Sequence, residues 1–238
     1  MRRKQVGPEL KLFELDTLKY ITEDNIKDSI YYVGIYPNRM SPADITFARK
    51  SGMLYSIDNK LFLSDIAIHY VLGAITYREY AFLILSKQWI KTTDIGKKPA
   101  VYNEPLLPCV LENILIRGRI SKSSFNQVMD EILISKYAPI ILSNTDSLRY
   151  IHALLIASEL VVVDGTDFII NPLATGVVHD LIHKSKKIAP PTSETEFELY
   201  WCTMAHGVFD IITNENKDIY YSFYPNLIKS SLSHEKNS

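Results

Sequence analysis

Two segments of this 238-residue chain share one pattern. GMLYSIDNKLFLSDIA begins at Gly52 and ELVVVDGTDFIINPLA at Glu159, and they align without a gap, 107 positions apart. Each reads as an apolar strand, a short polar turn, a second apolar strand and a helix start. Each also follows a helical stretch, Pro42 to Lys50 in the first case and Thr145 to Ala157 in the second. Helix, hairpin and helix in that order form the second half of a winged helix-turn-helix. The repeat therefore predicts a mainly α chain with small β-hairpin wings, an α+β architecture of tandem winged helices.

The flanking signals give a division of the chain. The first unit spans 1–92 and includes an N-terminal basic arm over residues 1 to 12. Ser41-Pro42-Ala43-Asp44 is a helix start, with Ser as N-cap and Pro at the first helical position. Asp58-Asn59-Lys60 is the first hairpin turn, Ser64 caps the next helix, and a further helix runs from Tyr77 to Trp89 with Tyr80, Leu83 and Ile84 on its apolar stripe. Thr, Asp, Gly, Lys and Pro crowd Ile90 to Pro105, which predicts a linker over 93–104.

The second unit spans 105–187. A helix from Leu106 to Ile116 ends at Gly118, Ile120 is a short strand, and Ser121 or Ser123 caps a helix bearing Phe125, Val128, Ile132 and Leu133. A third helix, capped by Asn144, buries Leu148, Ile151 and Leu155. A hairpin through Asp164-Gly165 follows, and Asn171-Pro172 opens the closing helix. Residues 188–238 hold an amphipathic helix over 192–212, with Phe197, Trp201, Met204, Val208 and Ile211 on one face, and a Tyr-rich extended piece over Asp218 to Leu227.

Composition narrows the function classes. Apolar residues make up 47% and charged residues 22%, enough to bury a core. Nine glycines, with no GxGxxG or GxxxxGK[ST], argue against a Gly-cradled phosphate site. The net charge of −1 confines any DNA-binding surface to a local patch. Two cysteines without a CxxC argue against a disulfide framework and a four-ligand zinc site. The opening residues lack the apolar core of a signal peptide, and no apolar run reaches about 18 residues, so the expected location is cytoplasmic or nucleoid-associated, without membrane contact.

In a winged helix the helix before the hairpin enters the major groove and the wing touches the DNA backbone. In the first unit that helix offers Asp44, Thr46, Arg49 and Lys50, with Arg39 ahead of it and Asn59 and Lys60 at the wing tip. Arg and Lys match guanine and phosphate acceptors. The second unit offers Arg149 on its third helix and the basic positions Arg117, Arg119 and Lys122, but Asp164 and Asp167 at its wing repel phosphate. The first unit is thus the expected DNA reader and the second the expected protein contact. Double-stranded DNA is the expected partner, with a protein partner or homodimer formed through the 192–212 helix.

The stretch LSDIAIHYVLGAITYREYAFLILSKQWIKTT, followed after a linker by PLLPCVLENILIRGRISKSSF, resembles the recognition region of AlwI-type restriction and nicking endonucleases, which are type IIS enzymes. The resemblance covers Ala48 to Ile132. It implies sequence-specific DNA recognition within a restriction, defence or transcription-control system. No PD-(D/E)xK nuclease core is present in the chain, so the expected function is non-catalytic.

Two other readings stand beside it. The chain is a winged-helix scaffold subunit if its second wing and C-terminal helix bind protein. It is a metal-dependent hydrolase if its histidines bind metal. His179 and His183 stand at i and i+4, and His152, His179-Asp180 and Asp210 follow the order of HD-type phosphohydrolases. Cys202, His206 and Asp210 line one flank of the 192–212 helix, with Glu198 a turn earlier. Short motifs of this kind are more often surface residues than ligands, and the expectation is no catalytic residue, no metal and no cofactor.

Overall fold

The computed structural model describes residues 8–12, 54–57, 60–86, 89–94, 101–137, 141–142, 148–187, 189–190, 192 and 215–229. These form a mostly helical α+β structure with small sheets. The strands are β1 (Pro8–Leu12), β2 (Leu54–Ile57), β3 (Lys60–Leu63), β4 (Trp89–Asp94), β5 (Val101–Pro105), β6 (Ile120–Ser121), β7 (Ile141–Leu142), β8 (Val161–Asp164) and β9 (Asp167–Ile170). The helices are α1 (Asp65–Val71), α2 (Tyr77–Ser86), α3 (Leu106–Arg117), α4 (Phe125–Tyr137), α5 (Leu148–Ala157), α6 (Thr175–Ser185) and α7 (Lys217–Phe223). The stretches 42–50 and 193–212, where two helices are expected, lie outside the described residues, as does the Asn144 cap.

Both repeated segments form antiparallel hairpins. In the first, Leu54 faces Leu63 and Ile57 faces Lys60. In the second, Val161 faces Ile170 and Asp164 faces Asp167. Each is followed by a side-chain cap. Ser64 Oγ accepts the Ala67 N–H at 3.1 Å and starts α1. Asn171 Oδ1 accepts the Leu173 N–H at 3.1 Å and starts a 3-10 turn, Pro172–Ala174, that leads into α6. Such caps satisfy helix-start N–H groups that have no intrahelical acceptor.

Four expectations are corrected. Of the expected linker 93–104, residues 93–94 end β4 and 101–104 belong to β5, while 95–100 lie outside the described residues. These strands pair antiparallel, and the sheet order is β5-β4-β1-β7. The N-terminal arm contributes β1, which lies between β4, antiparallel, and β7, parallel. Turn-forming residues misled the reading because Pro105 ends a strand and Thr92 and Thr93 sit inside one. The helix expected to reach Trp89 stops at Ser86, and Trp89 opens β4. The Tyr-rich segment is helical, in α7 and again over 225–229, with a break at Tyr224.

From Glu79 to Ser86 helix α2 is buried on every side. Tyr80, Ala81, Phe82, Leu83, Ile84 and Leu85 are each 2% exposed or less, so the three-residue stripe read from the sequence understates its burial. It packs on α1, α3 and α5. A helix that is apolar all round belongs in the middle of a core. On α5, Ile151, Leu154 and Leu155 are buried, and on α3, Val110 and Ile114. α7 packs on α6, and Tyr224 stacks on Phe82 with ring centroids 4.6 Å apart. One contiguous apolar cluster runs from Ala67 to Ile228 and draws on both expected units.

Candidate nucleic-acid interface

The basic residues Arg117, Arg119 and Lys122 gather where α3 passes into β6. Arg117 is the last residue of α3. Gly118 closes the helix at φ 73°, the left-handed geometry that glycine adopts without a Cβ clash, and its N–H reaches Leu115 O at 3.3 Å. The chain then turns into β6, where Ile120 pairs with Phe168 and Ser121 with Asp167. Ile120 and Phe168 are buried. Alternation along the strand leaves Arg119 and Ser121 toward solvent, and the Lys122 N–H donates to Thr166 O at 3.0 Å. The short strand thus fixes two cations, one at each end, beside the second wing.

That wing is a two-residue hairpin turn. Gly165 occupies its first central position at φ 61°, as tight hairpins require. The turn sets Asp164 and Asp167 opposite each other. Arg119 Nη1 lies 3.6 Å from Asp167 Oδ2, with the arginine side chain 65% exposed and the aspartate 21%. The Thr166 hydroxyl donates to Asp167 Oδ1 at 3.2 Å. Lys122 Nζ stands 5.9 Å from the centroid of the Phe168 ring, within cation–π range. The expected repulsion of phosphate by this wing is therefore offset by cations that strand pairing brings to it.

From Ile151 to Ala157, where its side chains are described, the third helix of the unit exposes only apolar residues. α5 packs on α2 and β8. Its exposed positions Ala153 and Ile156 are apolar, and neither can donate or accept at a base edge. His152 packs against Phe125, 4.5 Å between centroids, and Phe168, 4.9 Å. The side chain of Arg149 lies outside the described residues, as do Arg39, Asp44, Thr46, Arg49, Lys50 and Asn59 and the side chain of Lys60.

The histidine motifs resolve into separate surroundings. His179 and His183 are exposed on α6. Asp180 between them accepts from Asn216 Nδ2 at 2.5 Å and from Tyr220 Oη at 3.0 Å, with Lys184 Nζ at 3.9 Å. It anchors the C-terminal segment, and His152 belongs to the aromatic cluster under the second wing. Among the described residues no group of three His, Cys, Asp or Glu side chains is arranged to hold a metal ion. Cys202, His206 and Asp210 lie outside them. No helix among them is long and apolar enough to cross a membrane.

Sequence reading missed the Arg119–Asp167 pair, because the strand register that joins the two residues depends on pairing between distant segments. It also missed Arg78 and Glu79, which bind the C-terminal segment to the core, and Glu159, which pairs with Arg78. Thr76-x-x-Glu79 was a legible signal, since it is the capping-box pattern. Comparisons with protein-family models, curated proteins and solved structures returned no match.

Proposed function

We propose that this chain is a non-catalytic double-stranded DNA-binding protein with two winged-helix units, the recognition component of a restriction, defence or transcription-control system in the cytoplasm or nucleoid. The order α3, β6, α4, β7, α5, β8, β9, α6, in which β7 joins the four-stranded sheet, supports a winged-helix reading of the second unit. The observation that carries DNA contact is the placement of exposed Arg119 and Lys122 at the two ends of β6, with Arg117 one residue before the Gly118 turn. Cations at a wing suit phosphate, which positions a protein on the duplex without reading its sequence. In this reading base recognition falls to the first unit, through Arg39, Asp44, Thr46, Arg49, Lys50, Asn59 and Lys60, and the apolar exposed positions Ala153 and Ile156 of α5 are consistent with that.

The test is DNA retention as a function of salt. Binding by the purified chain falls steeply with salt. Replacing Arg117, Arg119 and Lys122 by Ala weakens it on all sequences alike and lowers the salt slope by about 3, near one unit for each phosphate contact. Arg49→Ala with Lys50→Ala abolishes binding. No retention on duplex DNA at low salt overturns the reading.

A second reading is a scaffold subunit. It is favoured by Ile156 and Val163, 42% and 38% exposed on the packed pair α5 and β8. That reading expects no DNA retention and an assembly mass in sedimentation that exceeds the monomer. The 192–212 helix is its expected contact, either with a protein partner or with a second copy.

A further inference from the structure

We propose that Asp167 is an intramolecular stand-in for phosphate, which holds Arg119 in the free protein and gives it up to the DNA backbone on binding. This rests on the DNA-binding reading above and names how its second wing is tuned.

Three observations converge on the pair. The β6–β9 register sets Ser121 opposite Asp167, so Arg119, two residues before Ser121 on the same strand face, is its diagonal neighbour. The Arg119–Asp167 contact is long, 3.6 Å, and made through one guanidinium nitrogen, with the arginine 65% exposed. A contact that long, to an arginine so exposed, is weak and is exchanged for another anion at little cost. Finally, Asp167 has a second support, the Thr166 hydroxyl at 3.2 Å, so the carboxylate stays in place and partly satisfied when Arg119 leaves. A phosphate offers the guanidinium a two-pronged contact that the present geometry lacks. Lys122 is set differently, over the Phe168 ring and tied through its backbone to Thr166, and it is available to phosphate without breaking an ion pair.

The device makes the wing self-shielding. Without DNA, Asp167 lowers the effective positive charge of the wing and with it the capture of unrelated anions. Against a polyanion dense in charge, Arg119 changes partner and one more phosphate contact forms.

The test measures binding to a mixed-sequence DNA duplex across a salt series for wild type, Asp167→Asn, Arg119→Ala, the double variant and Asp164→Asn. Asn is close to Asp in size, and thermal melting checks that each variant is folded. Asp167→Asn is expected to bind roughly two- to fivefold tighter than wild type, the range of a weak exposed ion pair. That gain is expected to vanish when Arg119 is already Ala. Asp164→Asn, which removes the same charge from the other side of the turn, is expected to change affinity less. An Asp167→Asn gain that persists without Arg119, or an equal gain from Asp164→Asn, overturns the exchange and leaves plain repulsion. No tightening in Asp167→Asn while wild type binds also overturns it. Absence of binding by every protein instead overturns the DNA-binding reading itself.

Discussion

Glu79 Oε1 accepts the backbone N–H of Leu227 at 2.8 Å, across 148 positions of sequence. The same oxygen accepts the Asn226 N–H at 2.8 Å. The other carboxylate oxygen accepts from Thr76 N at 2.8 Å and Thr76 Oγ1 at 2.9 Å, while Thr76 Oγ1 accepts the Glu79 N–H at 3.3 Å. One carboxylate therefore closes the capping box of α2 and also gathers backbone donors of the C-terminal segment. Glu79 is fully buried. A buried carboxylate is tolerated where donors surround it in this way.

Removing that acceptor is expected to cost more than an average core substitution. Glu79→Ala leaves four hydrogen bonds without their acceptor at a buried site. The expected loss is ~3 kcal/mol, since each buried unsatisfied donor costs about 1–3 kcal/mol and relaxation recovers part of the total. Glu79→Gln keeps one carbonyl oxygen and loses less, about 1–2 kcal/mol. Urea unfolding measures both. A loss under about 0.5 kcal/mol for Glu79→Ala would show that the C-terminal segment does not depend on this residue.

What the sequence revealed depended on whether the signal was local. The Ser64 and Asn171 caps, the Gly118 stop and both hairpins are set by residues within a few positions of one another, and they were readable. The four-stranded sheet was not, because β1 is framed by β4 and β7, and no neighbour in sequence announces either pairing. Thr and Pro in 90–105 serve a strand as well as a loop, and only the partner strand decides between them. The same limit applied to the site. The cations Arg117, Arg119 and Lys122 were visible as a cluster, yet the partner of Arg119 lies 48 positions later, reached only through the β6–β9 register.

Stability is expected to fall at alkaline pH. Burial, then the nearby charge of Asp180 and the hydrogen bond to it, raise the Tyr220 hydroxyl well above its usual range. Burial likewise raises Tyr224, whose hydroxyl donates to Ser158 O at 2.7 Å. Above about pH 10 the unfolded chain releases these protons while the folded chain keeps them. Stability is therefore fully present below about pH 10 and declines as pH rises further. Tyr220→Phe is expected to be less stable at neutral pH, through loss of the Asp180 bond, and to lose stability less steeply in the alkaline range. Thermal melting across that range checks both, and a wild-type midpoint that stays flat would contradict the assignment.

Cys109 is expected to be chemically silent. Burial, with the charge of Glu104 behind it, pushes its thiol up to about 12. The thiolate is the reacting species, so relative to an ordinary cysteine near 8.5 the alkylation rate at mildly alkaline pH falls roughly a thousandfold even before access is considered. In a Cys202→Ser background, iodoacetamide is expected to label Cys109 only as fast as the protein opens, and at once in denaturant. Rapid labelling of the folded protein would mean that the start of α3 is open to solvent.

Glu159 tests how backbone strain weighs against an exposed ion pair. It lies just past the end of α5 at φ 57°, where its N–H bonds Ile156 O at 3.0 Å. Glycine favours that position, and a side chain there costs about 1 kcal/mol. In return, the carboxylate holds Arg78 Nη1 at 2.9 Å, in a pair whose glutamate side chain is 52% exposed and so is worth at most about 1 kcal/mol. Arg78 keeps other partners without it, the Phe223 carbonyl at 2.5 Å and the Phe223 ring at 5.0 Å. The two contributions nearly cancel, so Glu159→Gly is expected to leave stability within about 1 kcal/mol of wild type. Glu159→Val keeps the strain, adds β-branching and loses the pair, and its expected cost is ~2 kcal/mol. Urea unfolding of the two variants separates the contributions. If Glu159→Gly falls as far as Glu159→Val, the ion pair and not the backbone sets the value of this residue, and Arg78 depends on Glu159 to hold the C-terminal segment in place.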